Sequence, residues 1–476
     1  MHRHRRMFLG VVAGGLVVGA SPVVAQVGER GGENVAAPSP GARPDAGGGV
    51  DVGTFWEILG DPTLQRLIGE ALSGSHDLRA AEARVEGAEA SRLHAALGLA
   101  PIVTANAGYT RRRFSSYAFP GAGVGALPDQ NVWDSGLSAT WELDVFGRLR
   151  GGLRARGALA DAAGEDLRDT RISLAGAVAR SYFDLRGAQE RLAVARRNAD
   201  NQGRTLALTA SRLDAGRGTV FDAERARAQL SFTLAAIPSL EGEVTARQYR
   251  IAVLLGRAPD ELSRELSDEL LAEGGALPEL PDAVPLIRAT EVVSARPDVQ
   301  GAGRRVAASR AAAGSARADY LPRLSLVAGA GYTAHAVDAF GNGGTFNYAV
   351  GPVLSWAAFD MGRVKARVEE AEAQEIEARA YYDRALLHAQ EELDAASVRY
   401  RAARGRLGHL EEAAAASDRA AALARLRYQG GVADFLQVLD AERTLLVAQD
   451  ELVQARTAAA DAYVTLFEAR GGRWER

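Results

Sequence analysis

The 476-residue chain has no cysteine and a single lysine, Lys365. Without cysteine there is no disulfide framework, zinc ribbon, iron–sulfur site or thiol nucleophile. A phosphate-binding GxxxxGK loop needs lysine directly after glycine, and Lys365 follows Val364. Positive excess is missing too: 56 basic against 60 acidic residues leave a net charge of −4, without the basic footprint of a nucleic-acid binder. Proline is absent from 129 to 237 and from 353 to the C-terminus, and aromatics make up 6%. The sequence contains no HExxH and no GxSxG, and its carboxylates form no pair that stands out from the acidic background. No catalytic residue, cofactor or metal is implied. Gly121-Ala122-Gly123-Val124-Gly125 superficially evokes a phosphate loop, but it follows no βα unit and reads as a surface connection.

What is present begins with an export signal. Arg3, Arg5 and Arg6 precede the apolar run Phe8–Ala20, and Val23-Val24-Ala25 supplies small residues for cleavage. The run is shorter than the roughly 20 residues needed to span a bilayer. Residues 1–25 therefore read as a signal peptide, and the Gly/Pro-rich stretch 26–54 as a flexible leader.

The remainder is written twice. Asp77 to Pro101 spans 24 positions, as does Asp298 to Pro322. Trp141, Gly147, Gly216 and Ala226 recur as Trp356, Gly362, Gly431 and Ala441 at a constant offset of 215. Two copies are too few for an open solenoid. A pseudo-symmetric pair, with repeats at about 76–256 and 297–470, fits better.

Each copy predicts one very long helix and two strands. The stretches after Gly147 and Gly362 are rich in Ala, Arg, Glu and Leu, and Arg148–Leu213 as one helix would reach about 100 Å at roughly 1.5 Å per residue. Period-two alternation marks strands at 103–110, 133–144, 324–333 and 348–356, each near the ~9–11 residues of a transmembrane strand, with aromatics near the ends. Four strands cannot close a barrel, since the smallest membrane barrels have about eight. Further subunits must complete the sheet edges, and the order of that symmetry stays open at this point.

Together these residues carry a resemblance. Phe55-Trp56 with Gly60-Asp61-Pro62, Ser294-Ala295-Arg296-Pro297-Asp298, Tyr320-Leu321-Pro322, Trp141 through Arg148, Leu254-Leu255-Gly256 and Leu439-Asp440-Ala441 resemble the TolC-like outer-membrane efflux factors, in the branch serving RND-type tripartite pumps. The resemblance covers 55 to 476. It implies an α+β membrane channel: a homotrimer whose 12-stranded outer-membrane β-barrel, four strands per protomer, continues into a periplasmic 12-helix α-barrel. A mixed equatorial domain would comprise 55–75, 257–296 and the C-terminus. Implied partners are a periplasmic adaptor, an inner-membrane RND-type transporter and outer-membrane lipid. The implied pore gate is Leu436 and Asp440, with Tyr428 and Arg443 holding the helices shut. Gly216, Arg217, Thr219, Gly431, Val432 and Asp434 are the implied adaptor-docking turns. The expected function is a passive exit duct for small toxic compounds. A neighbouring reading is the exit channel of a type I protein-secretion system, and one of a different class is a non-conducting periplasm-spanning structural protein. The chain departs from that branch at one point, since its usual lipid-modified cysteine is missing and retention is expected to rest on the barrel.

Overall fold

A computed structural model describes residues 52–113, 129–260, 277–281 and 289–472. The signal peptide, nearly all of the leader, the glycine loop at 121–125 and much of 257–296 lie outside the described residues. One helix order occurs twice. After α1 (Val52–Glu57) and α2 (Pro62–Gly74) come α3 (His76–Leu97), strands β1 (Ile102–Arg112) and β2 (Gln130–Leu143), α4 (Arg148–Asp214) and α5 (Val220–Leu254). Then α6 (Ala289–Ala295) leads into α7 (Pro297–Arg317), β3 (Arg323–Ala334), β4 (Phe346–Ser355), α8 (Met361–Gln429) and α9 (Phe435–Ala469). Helix α1 starts at Val52, so the last three residues of the stretch read as leader are helical instead.

Local chemistry sets these boundaries. Asp61 caps α2, its Oδ1 accepting from the Leu64 N–H at 2.9 Å, with Pro62 at the first helical position. Asp144 does the same work for α4: its two carboxylate oxygens accept from the N–H groups of Leu149 and Arg150, each at 2.9 Å. Burial alone would raise the Asp144 carboxyl, but these backbone bonds and the Arg150 guanidinium hold it below the usual range. With no proline inside them, α4 and α8 run unbroken for 67 and 69 residues. Helix α5 continues through Pro238, which removes the bond an N–H would make to the Leu234 carbonyl.

The four strands form one antiparallel sheet in the order β1-β2-β3-β4, so β1 and β4 are its edges. Each strand starts or ends one to three residues away from the alternation limits. Register places Ala105, Leu137, Ala330 and Tyr348 in one row, and the neighbouring rows add Tyr109, Trp133, Tyr332, Phe346 and Val350 to the same apolar face. The opposite face is polar, with Thr104 and Ser138 hydroxyls 2.7 Å apart and Asn347 Nδ2 donating to Thr333 Oγ1 at 3.0 Å. Gly136 and Gly331 face each other on it, where a Cβ at 331 would lie 2.5 Å from the Ser135 carbonyl oxygen. Two tryptophans tie the sheet to the helices: Trp141 Nε1 donates to the Leu99 carbonyl at 2.8 Å and Trp356 Nε1 to that of Tyr320 at 3.0 Å.

The main core lies among the helices, on the side of the short N-terminal elements. Phe55 packs against Trp56, Tyr463 and Phe467 with ring centroids 4.6–4.8 Å apart. Asp61 also accepts from the Tyr182 hydroxyl at 2.7 Å, and Tyr182 in turn accepts from Arg186 Nε at 2.9 Å. Burial pushes the Tyr182 phenol up, as does its bond to Asp61. Tyr400 donates to the Pro281 carbonyl, which ties the 277–281 segment to α8. Among the described residues no helix is long and apolar enough to cross a membrane.

Helices α4, α5 and α9 are cross-tied by charge. Arg180 reaches Glu468 at 2.9 Å, Asp184 meets Arg247 at 2.6 Å and Arg191 meets Asp450 at 2.7 Å. Burial raises the Asp461 carboxyl to about 6, reinforced by the Asp184 charge and opposed by Arg180 and Arg247. Asp169 is raised to about 6 by burial and by Asp298. The ordinary value of both is 3.8, so the folded state takes up these protons first as pH falls. Their effect is therefore opposite to that of a salt-bridged acid, and stability rises on acidification. We expect the melting temperature of the detergent-solubilised protein to increase between about pH 7.5 and about pH 5. The Asp169→Asn, Asp461→Asn double variant should flatten that rise, and a rise of full size in the variant would contradict the assignment.

Candidate functional site

The far end of the long helices is built from two nearly identical turns. In the first, Gly216 at φ +69° receives the chain from α4: its N–H donates to the Leu213 carbonyl at 2.9 Å and the Arg217 N–H to that of Arg212 at 2.8 Å. In the second, Gly431 at φ +75° donates to the Tyr428 carbonyl at 3.0 Å and Val432 to that of Arg427 at 2.9 Å. Both are Schellman caps, which need a left-handed residue and therefore select glycine. The helices that follow start differently. The Thr219 side chain caps α5 by accepting from the Asp222 N–H at 3.1 Å, while its hydroxyl donates to the Asp222 carboxylate at 2.7 Å. Asp434 stands at the same position before α9, and its side chain makes no capping bond.

Arg212 joins the two turns. Its guanidinium lies 4.3 Å from the centroid of the Tyr428 ring, a cation–π distance, and Nη2 reaches the Gln429 carbonyl at 3.5 Å. Tyr428, Phe435, Val438 and Ala226 form a small buried cluster, with the Tyr428 and Phe435 rings 5.8 Å apart. The six turn positions Gly216, Arg217, Thr219, Gly431, Val432 and Asp434 are thus collected at one end of the protomer, all exposed. Val432 among them is 72% exposed, and the neighbouring Phe221 and Val220 are 64% and 63% exposed.

Leu436, Asp440 and Arg443 follow at i, i+4 and i+7 on one stripe of α9, and all three are exposed. Tyr428 does not share that stripe. It is buried inside the protomer, so its ring fastens α8 to α4 and α9 rather than facing outward. Among the described residues Arg443 makes no ion pair.

Behind the stripe lies a buried polar group that the sequence does not announce. Glu442, 3% exposed, accepts from Arg425 Nε at 2.7 Å and from the Thr205 hydroxyl at 2.8 Å, linking α8, α9 and α4. The partners are 17 and 237 positions away, so no local pattern reveals them. The one available signal was Glu442 itself, a charged residue three positions from Leu445 on the apolar side of an amphipathic helix. Among the described residues no group of three or more potential ligands could hold a metal ion.

The family model described as "Outer membrane efflux protein" matches residues 67–257 and 290–472. The pyoverdine export outer membrane protein OpmQ of Pseudomonas aeruginosa is 31% identical, over 89% of this chain and 88% of its own length. The toluene efflux pump outer membrane protein TtgF of Pseudomonas putida is 30% identical, over 88% of this chain and 85% of its own. Among solved structures, the outer-membrane channel OprN superposes with a TM-score of 0.81 at 38% identity, covering 89% of this chain and 93% of that one.

Removing one partner of a buried pair costs more than the pair contributes. Glu442→Ala leaves the Arg425 guanidinium, one of whose nitrogens already lacks a partner, without its carboxylate. Hydrogen exchange over 435–445 should report opening easier by about 2–3 kcal/mol, with 455–469 unchanged. A uniform change along α9 would contradict a local clasp.

Proposed function

The chain belongs to the outer membrane efflux protein family, and from that premise we propose that it is the passive exit duct of a tripartite efflux pump. Its place is the outer membrane, and its fold is that of the outer-membrane channels. The observation that carries the reading is the pair of unpaired edges β1 and β4 on a sheet with one apolar and one polar face. In hydrocarbon such edges must be satisfied by another chain. Three protomers, each pairing β1 with the next copy's β4, close a barrel of twelve strands with the apolar face toward lipid and the polar face toward the lumen. The helices α4 and α8, at about 100 Å and roughly 1.5 Å per residue, supply the reach across the periplasm.

In this assembly 55–476 is one protomer made of two repeats, with 55–75, 257–296 and the C-terminus as its equatorial belt. The exposed stripe of α9 turns inward at the periplasmic mouth. A ring of Leu436 side chains forms a dewetting constriction, and a ring of Asp440 carboxylates favours cations over anions there. Arg443 meets a carboxylate of the adjacent protomer, and Tyr428 anchors the α8–α9 turn from within. The exposed apolar turns around Val432 and Phe221 fit a periplasmic adaptor that hands over cargo from an RND-type inner-membrane transporter. OpmQ exports pyoverdine and TtgF serves toluene efflux, and small toxic compounds are the corresponding cargo class for this chain. The duct performs no chemistry of its own, since the partner transporter supplies the energy.

Recording in planar bilayers tests this. The wild-type trimer should conduct weakly, and Leu436→Ala with Asp440→Ala should raise single-channel conductance several-fold and weaken cation selectivity. Absence of conductance in both proteins would overturn the duct, and equal conductance would overturn the gate.

A further inference from the structure

The apolar face of the sheet is not evenly filled. Near the end farthest from the helices, the 107–109 and 133–135 segments of β1 and β2, including Asp134, join Val337 and Phe340 around a depression of about 540 Å³. A second, of about 420 Å³, adjoins it along the strands and is floored by Ala105, Ala107, Ser135 and Ala330 beside Leu137 and Phe346. Ala107 pairs with Ser135, and Ala105 and Ala330 flank Leu137 in the next row, so small side chains hold most of the floor while Leu137 and Tyr332 rise from it. Aromatics wall the upper part: the Tyr109 and Trp133 rings lie 4.5 Å apart, and Phe340 packs 5.9 Å from Tyr332. The result is a furrow along the strand direction on the face that the barrel turns toward lipid.

Charge sits directly above it. Arg111 lies on the same side of β1 as Tyr109, because alternate positions share a face, and Arg113 follows just past the end of the strand. Arg111 contacts the Asp129 carboxylate at 2.9 Å and Arg113 lies 3.9 Å from it, so one carboxylate serves two guanidiniums. Asn131, which accepts from the Tyr109 hydroxyl at 3.0 Å, and His335 complete a polar rim. An apolar slot under a hydrogen-bonding rim of two guanidiniums and one carboxylate, cationic on balance, matches a molecule with acyl chains, a phosphate and a hydroxyl-rich head. Guanidinium is the side chain best matched to phosphate, through two parallel N–H bonds.

We propose that this furrow binds one acyl chain of a phosphorylated glycolipid of the outer leaflet, with Arg111 and Arg113 holding its phosphate. The proposal rests on the membrane-barrel reading of the sheet, in which the loop ends of the strands face outward. Pairing of β1 with a neighbouring protomer extends the sheet sideways and leaves the furrow uncovered. The bound lipid would be an integral part of the barrel wall, filling a gap that the side chains leave.

The test uses the full-length trimer in nanodiscs, with bisphosphorylated, multiply acylated diglucosamine lipid as probe and native mass spectrometry as readout. The wild-type protein should retain this lipid in preference to phosphatidylglycerol. Dephosphorylating the probe, which needs no variant, should weaken retention about tenfold, and so should Arg111→Gln with Arg113→Gln. Ala107→Leu with Ser135→Leu should also weaken it by filling the slot, while all variants keep the wild-type conductance. Retention equal to that of phosphatidylglycerol, or unaffected by dephosphorylation, overturns the lipid site. A protein that binds the probe selectively but does not conduct overturns the duct and leaves the site standing.

Discussion

A backbone N–H or C=O left unpaired in hydrocarbon costs several kcal/mol. Strands β1 and β4 each present a full row of such groups. That cost makes the protomer incomplete by itself and dictates which surfaces meet in the assembly. It also orders the rest of the molecule, because the long helices start within a few residues of the strands. Asp144, between β2 and α4, bonds the first turn of α4, and with the Trp141 and Trp356 indole bonds it fixes that junction, so the geometry of the barrel is passed to the helices below.

Along α4 the contact with α9 is polar at regular intervals. Arg191, Asn198 and Thr205 recur every seven residues and meet Asp450, Gln449 and Glu442 of α9, and Arg212, seven further on, meets the Tyr428 ring at the end of α8. Seven-residue spacing is that of a coiled-coil seam, and polar groups in such a seam fix register at a cost in stability. An all-apolar seam would let helices of this length slide by a turn without losing contact. The alternation of polar pairs with small residues prevents it: at Gly187 a Cβ would lie 2.2 Å from the Thr457 hydroxyl.

Much of this was legible in the sequence wherever the cause was local. Period-two alternation located all four strands, the lack of proline marked α4 and α8, and Gly216 and Gly431 marked turns that only a left-handed residue can make. What escaped was decided by partners distant in the chain. The Asp61–Tyr182 bond spans 121 positions, and the Thr205–Glu442 bond 237. Tyr428 shows the limit clearly. Its position near the turn is readable, but which way its ring faces depends on α4 and on Phe435. The start of α1 at Val52 escaped for another reason, since Gly-rich composition up to Gly49 masks the helix that follows it.

The two end turns share one backbone design yet differ one step later, where Thr219 closes the start of α5 and Asp434 leaves the start of α9 open. In the proposed ring of three protomers the two kinds of start would alternate around the mouth. Tight and loose hinges would then succeed one another, and the duct reading places any dilation in the α9 segments, with the α5 segments as fixed posts. On that reading one capping bond, present in the first half and absent in the second, turns a duplicated frame into an aperture with moving and stationary leaves.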